Sequence, residues 1–374
     1  MADAISAMTI GQVNRNRVFR YIYMSKEPVT KQNIATALSL SLPTVSTNLK
    51  ELFERNLLVY CGASDSTGGR KPQTMGVNTQ ALVALGMLIS DSEVRIIAAD
   101  FRLNEIAYEK RRIKFSDSDK YYKTVSDMVE SFVESRLGGA EVYGLGIALP
   151  GIVNIKNHTV EFAPTLRMKN KKLDDLRAFF SYPVWFENDA NASGIAEIIM
   201  NHPSAENVAY LSLDSGIGGM VRMGGAGYIG DNGRSAEFGH MCVEPHGKKC
   251  SCGKNGCLEA YCSVSRISDD IGMTPEEFFA ALEKGDPDIS AKWDEYLGHL
   301  ALGISNIRTI FDCDILIGGN ITGYLENYAG RLRKLVAERS TFETDGSFIR
   351  FGTLKSAACI GAVVHFVEEF LSNI

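Results

Sequence analysis

What this chain lacks narrows its function first. Its opening residues, MADAISAMTIGQVNRNR, show no basic start, apolar run or small-residue cleavage site, so export is not expected, and no stretch looks membrane-spanning. Basic excess is missing too: 39 Lys and Arg face 45 Asp and Glu, a net charge of −6 that, taken whole, argues against a nucleic-acid binder. With 45% hydrophobic and 22% charged residues, nothing in the composition favours disorder. The expectation is a cytoplasmic globular protein with no membrane partner. At 374 residues it should divide into two or three units, each with its own core.

The average charge conceals an asymmetry. Residues 1–80 hold nine Lys/Arg and five Asp/Glu, net +4, which leaves 30 and 40, net −10, for the remainder. The basic end is where DNA would bind. Within it, Thr30 can cap a helix KQNIATAL whose Ile34, Ala35 and Leu38 form an apolar face. Ser41 then offers a second cap, and Pro43 suits the opening turn of a following helix. Val45, Leu49 and Leu52 share one face of that helix and should point into a core. The opposite face, with Thr44, Thr47 and Lys50, is small, polar and basic at its leading end, as a helix entering the major groove requires. LLVYCGA and PQTMGVN read as two strands around a wing whose tip carries Gly68, Gly69, Arg70 and Lys71, a cationic loop able to reach phosphates. Arg15, Arg17 and Arg20 on a preceding helix would add backbone contacts. The segment is thus a winged helix-turn-helix with Thr44, Thr47, Lys50, Arg70 and Lys71 facing DNA. A helical protein-interaction module is the competing reading.

Four of the eight cysteines, Cys250, Cys252, Cys257 and Cys262, crowd into one short stretch, which in a reducing compartment favours metal over disulfide. His240 with Cys250, Cys252 and Cys257 makes one imidazole and three thiolates, a soft tetrahedral set suited to structural zinc, with no position left for catalysis. Cys242, His246 and Cys262 are rivals by proximity. Glu237 lies three residues before His240 and Glu259 two after Cys257, so fixing a metal fixes both carboxylates, and rigid carboxylates accept hydrogen bonds from vicinal sugar hydroxyls.

Glu237-Phe-Gly-His240 and Cys250-Ser-Cys252-Gly-Lys-Asn-Gly-Cys257-Leu-Glu259 resemble the two signature motifs of the ROK family (repressor, open reading frame, kinase), E-x-G-H and C-x-C-G-x-x-G-C-x-E. The resemblance runs from about Gln12 to the C-terminus, and Gly69–Pro72 matches the G-R-x-P of the family's xylose and N-acetylglucosamine repressor branch. It implies an α/β fold: a winged helix-turn-helix at 1–80 and a duplicated ribonuclease-H-like, actin-like sugar-kinase body. That body would comprise a first lobe at 81–190, joined by the C-terminal helix 357–374, and a second lobe with the zinc site at 191–356. Strands such as VYGLGIAL, PVWFEN, NVAYLSL and DILIGGN, interleaved with helical stretches, suit such layers. On the last helix, ACIGAVVHFVEEFL, His365 sits among apolar residues and reads as a packed side chain. Carried over from the family, the sugar ligands are Asn188, Asp189, Glu237, His240 and Glu259, with Asp189 in the position of the kinase base. Asn188 and Asp189 are equally apt as helix caps.

A kinase also needs phosphate cradles. The family's first, D-x-G-G-T, aligns with Leu88-Ile-Ser-Asp-Ser92, where side chains replace the glycines and Asp91, with Glu93 close by, adds charge that repels ATP. The second, Leu213-Asp-Ser-Gly-Ile-Gly-Gly-Met220, has Asp214 and Met220 where glycine is usual. Gly318-Gly319-Asn320 matches the adenosine-side turn. In the segment Ala163–Met168 the kinases' Asn and Trp are absent, and Thr165 stands instead. The reading is a transcription regulator, a repressor that binds operator DNA as a homodimer or dimer of dimers and is released by a sugar or sugar phosphate, with no catalytic residue. The runner-up is a kinase of a hexose or amino sugar, with Asp189 as base. A zinc-stabilised scaffold without ligand is a third class.

Overall fold

Local capping sets the first elements. The computed structural model describes residues 10–63, 72–138 and 140–374. Helix α1 spans Ile10–Met24, and a two-residue strand β1, Val29–Thr30, leads into α2, Lys31–Leu38, capped by Thr30 in a reciprocal box with Asn33. Ser39 takes a left-handed φ of 53°, the chain turns, and Ser41 caps α3, Leu42–Glu54, with Pro43 in its first turn. Strands β2, Leu58–Ala63, and β3, Gln73–Val77, pair antiparallel, and β1 adds to the far side of β3. Val45, Leu49 and Leu52 are buried as their spacing requires. Asn48 is buried with them, its amide donating to Thr44 O at 2.8 Å.

The body holds two five-stranded sheets of identical plan. In the first, β4 (Val83–Ile89), β5 (Val94–Asp100) and β6 (Glu105–Arg111) form an antiparallel meander. Helix α4, Asp119–Leu137, crosses over to β7, Leu145–Leu149, parallel to β4. A three-stranded hairpin system, β8 (Ile152–Asn154), β9 (Thr159–Ala163) and β10 (Met168–Lys172), and a short α5, Leu173–Arg177, precede β11, Val184–Asn188, parallel to β7. Helix α6, Asp189–Asn201, follows directly.

The second sheet repeats the scheme: β12 (Val208–Leu213), β13 (Ile217–Met223) and β14 (Ala226–Gly227) form the meander. Its connections are larger: α7 (Glu259–Cys262), α8 (Pro275–Glu283) and α9 (Pro287–Phe311) precede β15, Asp314–Gly318. Then α10 (Thr322–Leu325) and α11 (Ala329–Ala337) lead to β16, Ile349–Phe351, before the last helix α12, Ala357–Ser372. β12, β15 and β16 run parallel.

Two helices hold these sheets together. α6 packs on β12 and β13, while α12 lies along α6 and covers β4 and β7. The approach is so close that a Cβ on Gly146 would sit 2.0 Å from Ala362 O. Gly146→Val should therefore displace α12 and cost about 3 kcal/mol or more in denaturant unfolding; a variant as stable as the parent would refute this packing. His365 stacks on Trp185 at 3.7 Å between ring centroids, a packed histidine whose burial lowers its pKa. The C-terminal part of α12 also meets the N-terminal elements: Asn16 Nδ2 donates to Leu371 O at 2.9 Å, and Phe101 makes edge contacts with both Phe19 and Phe370. Among the described residues no helix is long and apolar enough to cross a membrane.

Candidate functional site

The cysteine loop folds on itself through backbone bonds. Cys250 N donates to Lys254 O and Gly253 N returns to Cys250 O, while Gly256, at a φ of +77°, lets its amide reach Lys248 O at 2.8 Å. The result brings one donor atom each of His240, Cys250, Cys252 and Cys257 within 4.8 Å of one another. Cys252 Sγ lies 3.7 Å from Cys257 Sγ and Cys250 Sγ 3.8 Å from His240 Nδ1. A tetrahedral ion with metal–sulfur bonds of about 2.3 Å needs edges of about 3.8 Å, so the donors fit a metal ion in both chemistry and spacing. Of the rivals, Cys262 is fully buried with its thiol on Tyr296 O, and neither Cys242 nor His246 joins the cluster.

Glu259 ties this loop to the body. Its Oε1 accepts from Ser251 Oγ at 2.8 Å and its Oε2 from Ile217 N at 3.1 Å, so one carboxylate joins the cysteine loop to the β12–β13 turn. Glu237, three residues ahead of His240, is exposed, with protein close enough to desolvate its carboxyl. Burial pushes its carboxyl up, Glu259 adds to the rise and His240 opposes it. Across from them stands the junction of β11 and α6. Asn188 caps α6, its Oδ1 accepting from Asn191 N at 2.8 Å, and its Nδ2 donates to Gly151 O. Asp189 opens the helix. Burial, with Asp214 and then Glu237 adding negative charge, raises its pKa to about 6. Asp189, at the start of α6, is thus within electrostatic reach of Glu237, and Glu237 of His240 and Glu259 in the His–Cys loop, while Asn188 ends β11 beside Asp189.

A ligand hydroxyl donating to Asp189 needs the carboxylate. Affinity should then rise between pH 5 and pH 7 as the group ionises and level off above, and the dependence should vanish in Asp189→Asn; an equal slope in that variant would remove Asp189 from the contact.

The two turns that align with the family's phosphate cradles are filled by their own side chains. At 90–93, Ser90 and Glu93 exchange hydrogen bonds, filling the turn with side chain and backbone. Glu93 is paired with Arg95 at 2.6 Å and Lys110 at 2.8 Å, which holds its carboxyl below the usual range despite burial, so its charge is countered and the exposed Asp91 carries the repulsion. At the other turn, Asp214 accepts from Ser212 Oγ at 2.8 Å and from Asn320 N at 3.0 Å, stitching the β12–β13 turn to the loop after β15. Gly218 faces α6 so closely that a Cβ would meet Ala190 Cβ at 2.5 Å, which explains the glycine by packing. Met220 is buried against Tyr210 and Ile198.

On α3, Thr47 and Lys50 are exposed and Thr44 half-buried, with Lys50 near Glu54 at 3.8 Å. Arg70 and Lys71 lie outside the described residues. On α1, Arg15 pairs with Glu51 of α3, while the exposed Arg17 donates to Leu38 O and the exposed Arg20 to Asn16 Oδ1. Arg15 in particular is drawn inward, because a partly buried guanidinium keeps a carboxylate partner that the sequence places 36 residues away.

The family model for ROK matches residues 93–368. The chain belongs to the ROK family. Among curated relatives, the xylose repressor of Bacillus spizizenii is 29% identical, covering 99% of this chain and 98% of that protein. A ROK family transcriptional regulator, a homologue of the E. coli MLC protein, superimposes with a TM-score of 0.79 at 22% identity over 97% of this chain and 96% of the other. A ROK family glucokinase from Streptomyces griseus, solved with glucose and AMPPNP, gives 0.62 at 22% identity and covers 98% of itself but 76% of this chain. The two ROK signature motifs supply both the His–Cys cluster and its neighbouring carboxylates. Asp214 and Asn320, which link two ROK turns, gave no sign of their contact in sequence, since 106 residues separate them.

Proposed function

We propose that this ROK chain is a sugar-responsive transcriptional repressor. In this reading residues 1–80 are a winged helix-turn-helix that binds operator DNA through Thr44, Thr47, Lys50, Arg70 and Lys71. Residues 81–190 with 357–374, and 191–356, are the two lobes of a ribonuclease-H-like body. Asn188, Asp189, Glu237, His240 and Glu259 receive the sugar, and His240, Cys250, Cys252 and Cys257 hold a structural zinc that fixes Glu237 and Glu259 without touching chemistry. The protein works in the cytoplasm as a homodimer or dimer of dimers. Sugar favours a closed body and changes the spacing of the two heads, so DNA affinity falls by the difference in sugar affinity between the two states.

The observation that carries this reading is the pairing of an exposed, hydroxyl-rich α3 face with turns already occupied by Ser90, Glu93 and Asp214 where a nucleotide's phosphates would need free amides. A kinase reading is favoured by the likeness of the body to ROK sugar kinases and by the pKa of Asp189, raised to about 6, within a general base's useful range. Operator duplexes selected from random DNA, challenged with D-xylose, D-glucose and N-acetylglucosamine, test the first. At least one sugar should release the DNA, and the same sugars with ATP should give no turnover above background. Phosphorylation well above background would overturn the regulator reading.

A further inference from the structure

A β-bulge shapes the mouth of the candidate sugar site. In the pairing of β8 with β9, Ile152 faces Phe162 and Val153 faces Val160, so Glu161 is an extra residue on β9. Bulges re-aim side chains and recur beside binding sites. Here Glu161 accepts from Asn154 Nδ2 at 2.7 Å and from Arg234 at 3.2 Å, an arginine three residues before Glu237. This ion pair lines an open cavity of about 570 Å³, with Ile152 and Phe162 on its wall and Asn157, Lys169 and Asn170 around it. Phe162 is 44% exposed, an aromatic ring kept open to solvent. Ile152 directly follows Gly151, whose carbonyl accepts from Asn188, and Arg234 lies three residues before Glu237, so the chain links the cavity wall to two of the proposed sugar ligands.

We propose that this cavity is a second glycosyl subsite, and that the effector is a disaccharide or longer glycan whose first unit sits at Asn188, Asp189 and Glu237. The inference rests on the reading of those residues as sugar ligands. An exposed aromatic ring bordered by amides and charged groups matches a pyranose, whose C–H face stacks on the negative face of the ring while its hydroxyls reach the polar border. A phosphate ester fits less well. Ile152 and Phe162 offer it nothing, and Arg234 is already paired with Glu161, which leaves Lys169 alone on the lining to attract an anion.

Calorimetry on the full chain with matched pairs tests this: D-xylose and xylobiose, D-glucose and cellobiose, N-acetylglucosamine and chitobiose, with glucose 6-phosphate and N-acetylglucosamine 6-phosphate as further arms. For the pair whose monomer binds, the disaccharide should bind about tenfold tighter or more, and Phe162→Ala should bring that ratio close to one, as should Asn157→Ala in part. A ratio near one in the parent, a ratio unaffected by Phe162→Ala, or a phosphate ester that binds tighter than the disaccharide would overturn the second subsite while leaving the sugar site standing. No binding by any probe would overturn both.

Discussion

Cys257→Ser is expected to abolish metal retention and, with it, sugar binding. Metal analysis of the parent should give about one zinc per chain, and the variant close to none. Structural zinc contributes on the order of 10 kcal/mol to isolated zinc modules, and even a third of that here lowers the melting temperature by roughly 10 °C. The larger effect is functional. Cys257 is two residues from Glu259, whose carboxylate joins Ser251 to Ile217 N, and it pairs by a β-bridge with Cys242, next to the segment that carries Glu237 and His240. Releasing the loop frees both carboxylates, so sugar affinity should fall about 100-fold or more. Cys262→Ser gives the contrast, because that thiol is buried away from the cluster and its loss should leave metal content unchanged. A Cys257→Ser protein with full zinc content would refute the assigned ligand set.

Thr47→Asp should nearly eliminate operator binding. Thr47 is exposed on α3 and its hydroxyl bonds only to Pro43 O in its own helix, so the substitution leaves the core of the head untouched. It does place a carboxylate against a polyanion. Juxtaposed like charges cost several kcal/mol, and about 3 kcal/mol already means a loss near 100-fold in a gel-shift or anisotropy titration. Melting temperature and sugar affinity should match the parent. Operator affinity within about threefold of the parent would mean that α3 does not face DNA. Asn48→Ala is a poor substitute for this test, since Asn48 is buried and its amide bonds to Thr44 O.

The head and the metal loop were legible in sequence because their signals are local. Caps, turns and a helical period lie within a few residues, which is why Thr30, Ser41 and the Val45–Leu49–Leu52 stripe appear where their spacing puts them. His240 and the three cysteines likewise span a single loop region. What escaped was pairing between distant segments. Arg15 looks like a free cation until Glu51 is placed against it, and Glu93 like a free anion until β5 and β6 bring Arg95 and Lys110 to it. Gly218 reads as a phosphate-loop residue, but its lack of a side chain is required by helix α6 overhead. The bulge at Glu161 has no sequence signature at all, because it exists only as a mismatch between two strands.

The bond from Asn16 to Leu371 joins residues 355 positions apart, and around it the aromatic rings of Phe19, Phe101 and Phe370 close one cluster. During synthesis at roughly 5–20 residues per second, the head leaves the ribosome tens of seconds before the helix that completes its seat. Its own three helices can form at once and Phe101 soon reaches Phe19 and Tyr23, but the bond of Asn16 to Leu371 and the contact of Phe101 with Phe370 must wait for the last helix. A nascent or truncated chain therefore carries a head able to fold yet unable to dock.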